Sequence, residues 1–313
     1  MMLGKPRPKG LVINGAMGAG RHYLIAVLSR IYSGHDFVKV IDGYPRVGTG
    51  IQPGAIHSNH MARRPAPMHY DFEAYRQLIE KGEAGFIFLY RDPRDMLASI
   101  LRHHKYQTKG QAAYEAAHRL FAQDETDQDS LVRLILNGDQ VNFMKYAEFA
   151  DDLRYFFNYE HSYLLSFEEL VFSPYRSVRN LLLTFGYPVN SSRVAEAVAE
   201  VYRTGRVGGW RATFDKNVVN QFKRAAGDLV SHMEYEVDES WSLDVVRGDA
   251  EANADQDLRL QLIRWMFLFF MDYEPVETEI EEVNVRFQGA SIDVVRTWFL
   301  RESGRLMAPA RKP

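Results

Sequence analysis

A glycine-rich turn between a short apolar run and an amphipathic segment constrains this chain more than any other stretch. Residues 11–13 form the β-prone apolar run, and residues 21–32 repeat apolar side chains at helical spacing. A strand, a glycine turn and a helix in this order direct backbone N–H groups and the positive end of a helix dipole to one point. The stretch 15–22 is therefore predicted to bind an anion, with a plain tight turn as the alternative.

The spacing of the turn approximates a Walker A loop, but two functional side chains of that loop are replaced. Gly15 and Gly20 occupy the glycine positions of G-x-x-x-x-G-K-[ST], whereas Arg21 replaces the lysine and His22 replaces the hydroxyl residue. The hydroxyl normally binds Mg²⁺, and imidazole is a poor ligand for that hard cation. The loop therefore favours a nucleotide phosphate that is held without magnesium.

Composition excludes several other functions. The 313 residues contain no cysteine, which rules out disulfides, thiolate metal sites and a cysteine nucleophile. A formal net charge of −3 gives no general attraction to nucleic acid, so an anion site must be local. The stretch 57–69 is rich in histidine and arginine but lacks the spacing of zinc sites, so no metal site is predicted. With no secretory signal and no membrane span in the sequence, we expect a soluble, cytoplasmic protein.

Strand-like and helix-like segments alternate along the chain. Residues 86–90 are continuously apolar, as a strand covered on both faces requires, and an amphipathic helical segment follows at 93–101. This alternation predicts an α/β fold with a doubly wound, mostly parallel sheet flanked by helices. We expect the α/β domain to span residues 1–240, and residues 241–313 to form a C-terminal extension packed on the same domain.

Three separated segments each place an arginine beside a turn. They contain Arg21, then Arg91 with Ser99, and then Arg203 with Gly205. A nucleotide with phosphates at two positions needs separate cationic sites of this kind, because guanidinium groups match phosphate oxygens and stay charged. A surface ion pair is the alternative for each arginine. Arg91 follows an apolar strand directly, at the end of the sheet where open α/β folds bind ligands.

These segments resemble motifs of the sulfotransferases that use 3′-phosphoadenosine 5′-phosphosulfate (PAPS). YRDPRDMLAS resembles the 3′-phosphate motif, in which an arginine precedes a serine by eight residues, here Arg91 and Ser99. RTGRVGGWRATF resembles the pattern R-K-G-x-x-G-D-W-K-x-x-F, and LSFEELVFSP is similar to the Y-E-D-L-x-x-D-P stretch. The resemblance implies the P-loop-like sulfotransferase fold and metal-independent transfer of a sulfuryl group from PAPS to a hydroxyl acceptor. The product nucleotide would be adenosine 3′,5′-bisphosphate.

The resemblance also implies roles for individual residues. Gly18 occupies the position of the family lysine that stabilises the leaving group, and Arg21 is the candidate that supplies this charge instead. His60 is the candidate general base, with His57 and His69 as alternatives. Trp210 is a candidate to flank the adenine, with core packing as the alternative. The implied cofactor-binding residues are Gly18, Ala19, Gly20, Arg21, His22, Arg91, Ser99, Arg203, Gly205 and Trp210.

Two other functions remain open at this stage. One is a Mg²⁺-dependent P-loop kinase or NTPase with a degenerate loop. The other is a non-catalytic nucleotide or carbohydrate binder on the sulfotransferase fold, which the missing lysine suggests. The acceptor could be a small molecule, a lipid or a carbohydrate, and the segment after residue 240 is a candidate for a lid or for a homodimer interface.

Overall fold

The computed structural model describes most of the chain between residues 7 and 299. The described ranges are 7–15, 18–32, 39–42, 54–59, 61–62, 70–107, 115–140, 143–201, 207–236, 241, 259–260, 262–264, 266–267, 275–287, 295–296 and 298–299. The chain divides into two compact units, one of residues 1–170 and 174–241 and the other of residues 171–173 and 242–313.

A parallel sheet forms the centre of the first unit. Its strands are β1 (Gly10–Gly15), β2 (Lys39–Asp42) and β3 (Ala55–Asn59) and, after the short strands β4 (Met61–Ala62) and β5 (Tyr70–Asp71), β6 (Ala84–Tyr90) and β7 (Ser162–Ser166). The five long strands have the order β2-β3-β1-β6-β7, and every neighbouring pair is parallel. β4 and β5 pair separately, also in parallel. The strand order reverses around β1, which confirms the predicted doubly wound sheet.

Helices connect these strands and flank the sheet. They are α1 (Arg21–Ile31), α2 (Glu73–Glu80), α3 (Pro93–Arg102), α4 (Glu115–Ala122), α5 (Asp127–Asn137), α6 (Tyr146–Asn158), α7 (Phe167–Phe172), α8 (Pro174–Thr184), α9 (Ser191–Glu200), α10 (Lys216–Ala226) and α11 (Leu229–His232). A π-helical turn at 103–107 continues α3, and a 3₁₀ turn covers Gly209–Ala212. The described helices bear out the predicted α/β class.

The central strands are apolar because both faces of the sheet are covered. All six residues of β1 are buried, and so are the first six of β6. Phe86 of β6 packs against Phe72 and Phe156, with ring centroids 5.5 and 6.0 Å away. Phe72 directly precedes α2 and Phe156 belongs to α6, so these aromatic contacts hold two helices on the sheet.

The second unit has its own apolar cluster. Helix α12 (Glu277–Arg286) contributes Ile280 and Val283 to it. The other buried members are Ile263, Met266, Phe267, Val295 and Phe299. Its predicted packing on the α/β domain stays a prediction. Within the described ranges, none of the helices combines the length and the apolar composition that crossing a bilayer requires.

The interior of the sheet leaves no room for a side chain at Gly85. A Cβ atom there would lie 2.6 Å from Leu11 Cδ2 and 2.6 Å from Phe185 Cδ1. We expect Gly85→Ala to lower the free energy of unfolding by about 1–3 kcal/mol, measured by urea denaturation. In a Phe185→Leu background the same substitution should cost less, because part of the clash is gone. An equal cost in both backgrounds would contradict this explanation.

Candidate functional site

The carboxyl ends of the parallel strands bring the predicted motifs to one edge of the sheet. β1 ends at Gly15 before the glycine loop, β6 ends at Tyr90 before Arg91, and β7 ends at Ser166 before α7. In an open parallel sheet these ends form the ligand-binding crevice on either side of the first strand. Contacts between the segments after these strands define the candidate site.

The glycine loop lies directly against α3 and α7. Gly18 and Gly20 have φ values of +77° and +87°, in the left-handed region that favours glycine. A Cβ atom on Gly18 would lie 2.8 Å from Ser99 Oγ, and one on Gly20 would lie 2.9 Å from Phe167 Cδ2. A side chain at the position of the family lysine would therefore be strained by the backbone conformation and would force Ser99 to shift. Ala19, between the two glycines, is buried.

Arg91 connects the glycine loop to α3. Its side chain is 4% exposed, and its Nη1 donates to the carbonyl oxygen of Gly18 at 2.9 Å. The guanidinium carbon lies 4.2 Å from the centroid of the Phe167 ring, in a cation–π contact. Nη2 lies 3.4 Å from the carboxylate of Asp95. The structure thus brings the predicted residues Gly18, Arg91 and Ser99 together.

Asp95 connects Arg91 to the segment that contains Gly208 and Trp210, which belongs to the third sequence motif. Its Oδ2 accepts from the backbone N–H of Gly208 at 2.7 Å, and its Oδ1 accepts from that of Trp210 at 2.9 Å. Burial raises the pKa of Asp95, and the neighbouring Arg91 guanidinium opposes this rise. Asp95 was missed in the sequence, although its position four residues after Arg91 is a signal for an ion pair.

A second buried ion cluster lies beside Asp95 and was also missed. Asp92 caps α3 by accepting from the backbone N–H of Arg94 at 2.9 Å, and its carboxylate also accepts from Nε and Nη2 of that residue at 2.9 and 2.8 Å. Nη1 of Arg94 donates to Glu236 at 2.6 Å. The Asp-Pro sequence at 92–93 signals the helix start, but nothing in the sequence indicates the distant partner Glu236.

Trp210 is packed among charged and aromatic side chains. It is 2% exposed, and the guanidinium carbons of Arg94 and Arg211 lie 4.1 and 4.7 Å from its ring centroid. The rings of Phe214 and Trp241 contact it at centroid distances of 5.5 and 5.6 Å. Core packing accounts for this position of the indole. A role of Trp210 beside the adenine stays a prediction.

Arg21 and His22 form the first turn of α1. Nη2 of Arg21 lies 3.3 Å from Nε2 of His22, and His22 is exposed. The Cβ atom of Arg21 is 3.4 Å from the point where a Cβ on Gly15 would lie. Arg21 therefore lies beside the carboxyl end of β1. Replacement of the family lysine by Arg21 stays a prediction.

The three candidate histidines have different positions. His57 is 1% exposed inside β3, in register with Val12 of β1 and Ile41 of β2. The choice of the base among His60, His57 and His69 stays a prediction. His60 and His69 lie outside the described residues, as do Arg203 and Gly205. The residue before His60, Asn59, is the last residue of β3.

Glu168 is an acidic group at this edge that the sequence did not reveal as special. Its Oε2 accepts from the hydroxyl of Tyr235 at 2.7 Å, and its Oε1 lies 3.5 Å from the backbone N–H of Asp92. Burial raises the pKa of Glu168 from its ordinary 4.5 to about 7, against the opposing effect of the Tyr235 hydrogen bond. Within the described residues, metal-ligating side chains do not gather into a group of three that could hold a metal ion.

A parallel sheet whose first strand leads through a glycine loop into a helix has the architecture of the P-loop-like α/β folds. The sequence profile of the sulfotransferase domain matches residues 27–202, more than half of the chain, and the chain belongs to this family.

A solved structure supports the fold. The crystal structure of mouse sulfotransferase SULT7A1 complexed with PAP has a TM-score of 0.53 and 14% sequence identity, and the match covers 73% of this chain and 88% of that one. A structure of retinol dehydratase in complex with androsterone and inactive cofactor PAP has a TM-score of 0.47 and 11% identity, covering 70% of this chain and 80% of that one. No curated protein sequence matches the chain. The predicted P-loop-like sulfotransferase fold is confirmed.

The raised pKa of Glu168 predicts a pH dependence of stability. Between pH 4.5 and 7 the folded state keeps a proton on Glu168 that the unfolded state has lost, so this contribution is full below pH 4.5 and disappears as the pH rises through 7. The free energy of unfolding of the wild type, minus that of Glu168→Gln, should fall by about 1–3 kcal/mol from pH 4.5 to pH 8. Urea denaturation at a series of pH values measures it. The exposed Glu125→Gln is the control, and an equally flat difference for both variants would contradict the prediction.

Proposed function

We propose that this chain is a PAPS-dependent sulfotransferase that transfers a sulfuryl group to a hydroxyl group of a small molecule, a lipid or a carbohydrate. The observation that carries the proposal is the meeting of three separated motifs around Arg91. Gly18 of the glycine loop accepts a hydrogen bond from Arg91, and Asp95 links Arg91 to Gly208 and Trp210. The same three segments carry the resemblance to the family's nucleotide-binding motifs.

The residues present fit a nucleotide with two separate phosphate groups. Arg91 provides a fixed positive charge, and Ser99 provides a hydroxyl beside the glycine loop, for a 3′-phosphate. The left-handed glycines at 18 and 20 bring the backbone and the start of α1 close to a 5′-phosphate. The proposal adds Ala19 and His22 on the 5′ side, Arg203 and Gly205 on the 3′ side, and Trp210 beside the adenine.

PAPS supplies an activated sulfuryl group, and two side chains would assist the transfer. In this proposal His60, which follows the last residue of β3, takes the proton from the acceptor hydroxyl as its oxygen forms the new bond to sulfur. Arg21 stabilises the negative charge that develops on the departing phosphate of adenosine 3′,5′-bisphosphate. No metal ion is needed for these roles. The cytoplasmic location expected from the sequence belongs to the same proposal.

A specific observation favours a second candidate, a non-catalytic nucleotide binder. The position of the family lysine is Gly18, where a side chain would be strained and would contact Ser99 too closely. If Arg21 does not supply the missing charge, the same site would bind the nucleotide without transferring the sulfuryl group. Both candidate functions require binding of the same nucleotide, and only the sulfotransferase transfers the sulfuryl group.

Nucleotide binding tests what both candidates share. Adenosine 3′,5′-bisphosphate at about one hundred times its Kd should stabilise the protein by about 2.7 kcal/mol, visible as a rise in Tm. Arg91→Ala should reduce this shift, because the buried guanidinium is the fixed cation of the site. ATP with Mg²⁺ is the comparison ligand. An equal rise of Tm with ATP and Mg²⁺ would instead favour a P-loop kinase or NTPase.

Transfer of labelled sulfate from PAPS to a panel of phenols, sugars and lipids tests the catalytic proposal. Arg21→Ala should lower kcat by about 10²–10³, the usual cost of losing one group that stabilises a developing negative charge. Arg21→Lys should keep part of the activity because it keeps the charge. Arg30→Ala, at the opposite end of the same helix and 56% exposed, is the matched control. Full activity of Arg21→Ala would exclude Arg21 as the replacement for the lysine.

A further inference from the structure

We propose that Asp95 is a positioning residue whose carboxylate holds Arg91 and the turn at Gly208 in register, so that the site distinguishes nucleotides that carry a 3′-phosphate. The inference rests on the proposed function, since it concerns the same nucleotide site. It goes further because it assigns the discrimination to a residue that would not itself touch the nucleotide.

The contacts of Asp95 use both of its carboxylate oxygens. Oδ2 accepts from Gly208 N–H at 2.7 Å and lies 3.4 Å from Nη2 of Arg91, while Oδ1 accepts from Trp210 N–H at 2.9 Å. The Asp95 side chain is 1% exposed, so water does not screen these interactions. Two backbone donors and one guanidinium therefore surround a single buried charge.

The two backbone donors belong to a tight turn. Gly208 has a φ of +74° and begins the 3₁₀ turn Gly209–Ala212. A left-handed residue followed by a helical turn directs consecutive N–H groups toward one point, which is an anion-binding arrangement of the backbone. Here the anion in that position is the carboxylate of Asp95, so the turn is fixed to α3.

Arg91 is held from several directions at once. Phe167 covers the guanidinium at 4.2 Å, Gly18 accepts from Nη1 at 2.9 Å, and Asp95 lies beside Nη2. The Phe167 ring fixes the plane of the guanidinium, the Gly18 carbonyl fixes its Nη1, and the ion pair with Asp95 fixes its Nη2. Asp95 thus fixes the guanidinium of Arg91 relative to the turn at Gly208, and with it the place that a 3′-phosphate would take.

The sign of the effect separates positioning from simple electrostatics. A negative charge 3.4 Å from Arg91 weakens the attraction of that arginine for a phosphate. If charge were the whole role of Asp95, removing it would tighten nucleotide binding. If Asp95 positions Arg91 and the turn, removing the charge weakens binding of the 3′-phosphate. In Asp95→Asn the side-chain amide would also place an N–H donor against groups that are themselves donors, namely the N–H groups of Gly208 and Trp210 or the Arg91 guanidinium.

The experiment compares two nucleotides on Asp95→Asn. The wild type should bind adenosine 3′,5′-bisphosphate more tightly than adenosine 5′-monophosphate, and calorimetry gives the ratio of the two Kd values. Asp95→Asn should lower this ratio by about tenfold, the value of one charge-assisted contact, because the affinity for the bisphosphate falls further than that for the monophosphate. Asp92→Asn is the matched control, because its carboxylate pairs with Arg94 and the substitution keeps the helix cap.

Repeating the measurement in an Arg91→Ala background distinguishes a positioning role of Asp95 from a merely structural one. If Asp95 acts through Arg91, Asp95→Asn should not lower the ratio further once Arg91 is alanine, whereas general damage to the fold would lower both affinities in either background. Should Asp95→Asn not fold, Asp95→Glu carries the test, because it keeps the charge but moves the carboxylate by one methylene. It should lower the ratio by a smaller factor.

The experiment distinguishes failure of the proposed function from failure of the positioning role of Asp95. A wild type that prefers adenosine 5′-monophosphate, or binds neither nucleotide, would overturn the proposed function. A wild type that prefers the bisphosphate, combined with an unchanged or increased ratio for Asp95→Asn, would overturn the positioning role alone. If Asp95→Glu is the variant measured, an unchanged ratio of the two Kd values would likewise overturn the positioning role.

Discussion

The candidate site depends on one buried carboxylate. Removing a charge from water costs several kcal/mol unless close partners compensate, and the Asp95 side chain is 1% exposed. Its partners come from the end of β6 and from the turn after Gly208, and Arg91 in turn holds the glycine loop through Gly18. Segments that are far apart in the chain are therefore coupled, because displacing any of them would leave a buried charge with fewer partners.

The start of α3 is suited to this role. The first turn of a helix has backbone N–H groups without intrahelical partners and a positive dipole end, which stabilise acidic side chains. Asp92 caps the helix and Asp95 lies in its first turn, and each faces a buried arginine. Because α3 begins where β6 ends, the fold places this acid-stabilising helix start at the ligand-binding edge of the sheet. The arginines are then fixed by carboxylates that the helix itself favours.

Local patterns in the sequence were sufficient for the framework. The apolar run at 86–90 and the glycine turn after residue 13 predicted the central strands and the anion-binding loop, because burial on both faces and a tight strand-to-helix turn leave local signatures. The links to Gly208 and Glu236 could not be predicted, since a hydrogen bond between segments more than a hundred residues apart leaves no periodic trace. The contacts of Trp210 with Arg94 and Trp241 could not be predicted for the same reason.

The glycine at the position of the family lysine has a steric explanation. In the sequence, Gly18 reads as the loss of a catalytic cation. In the structure, its left-handed backbone and the approach of Ser99 show that this loop conformation requires glycine there. In this loop the carbonyl of Gly18 accepts from Arg91, and the nearest sequence position with a permanent charge is Arg21, in the first turn of α1. A cation on a helix is held more rigidly than one on a loop, so a catalyst built this way would rely on the placement of α1 against β1, where Arg21 lies beside Gly15.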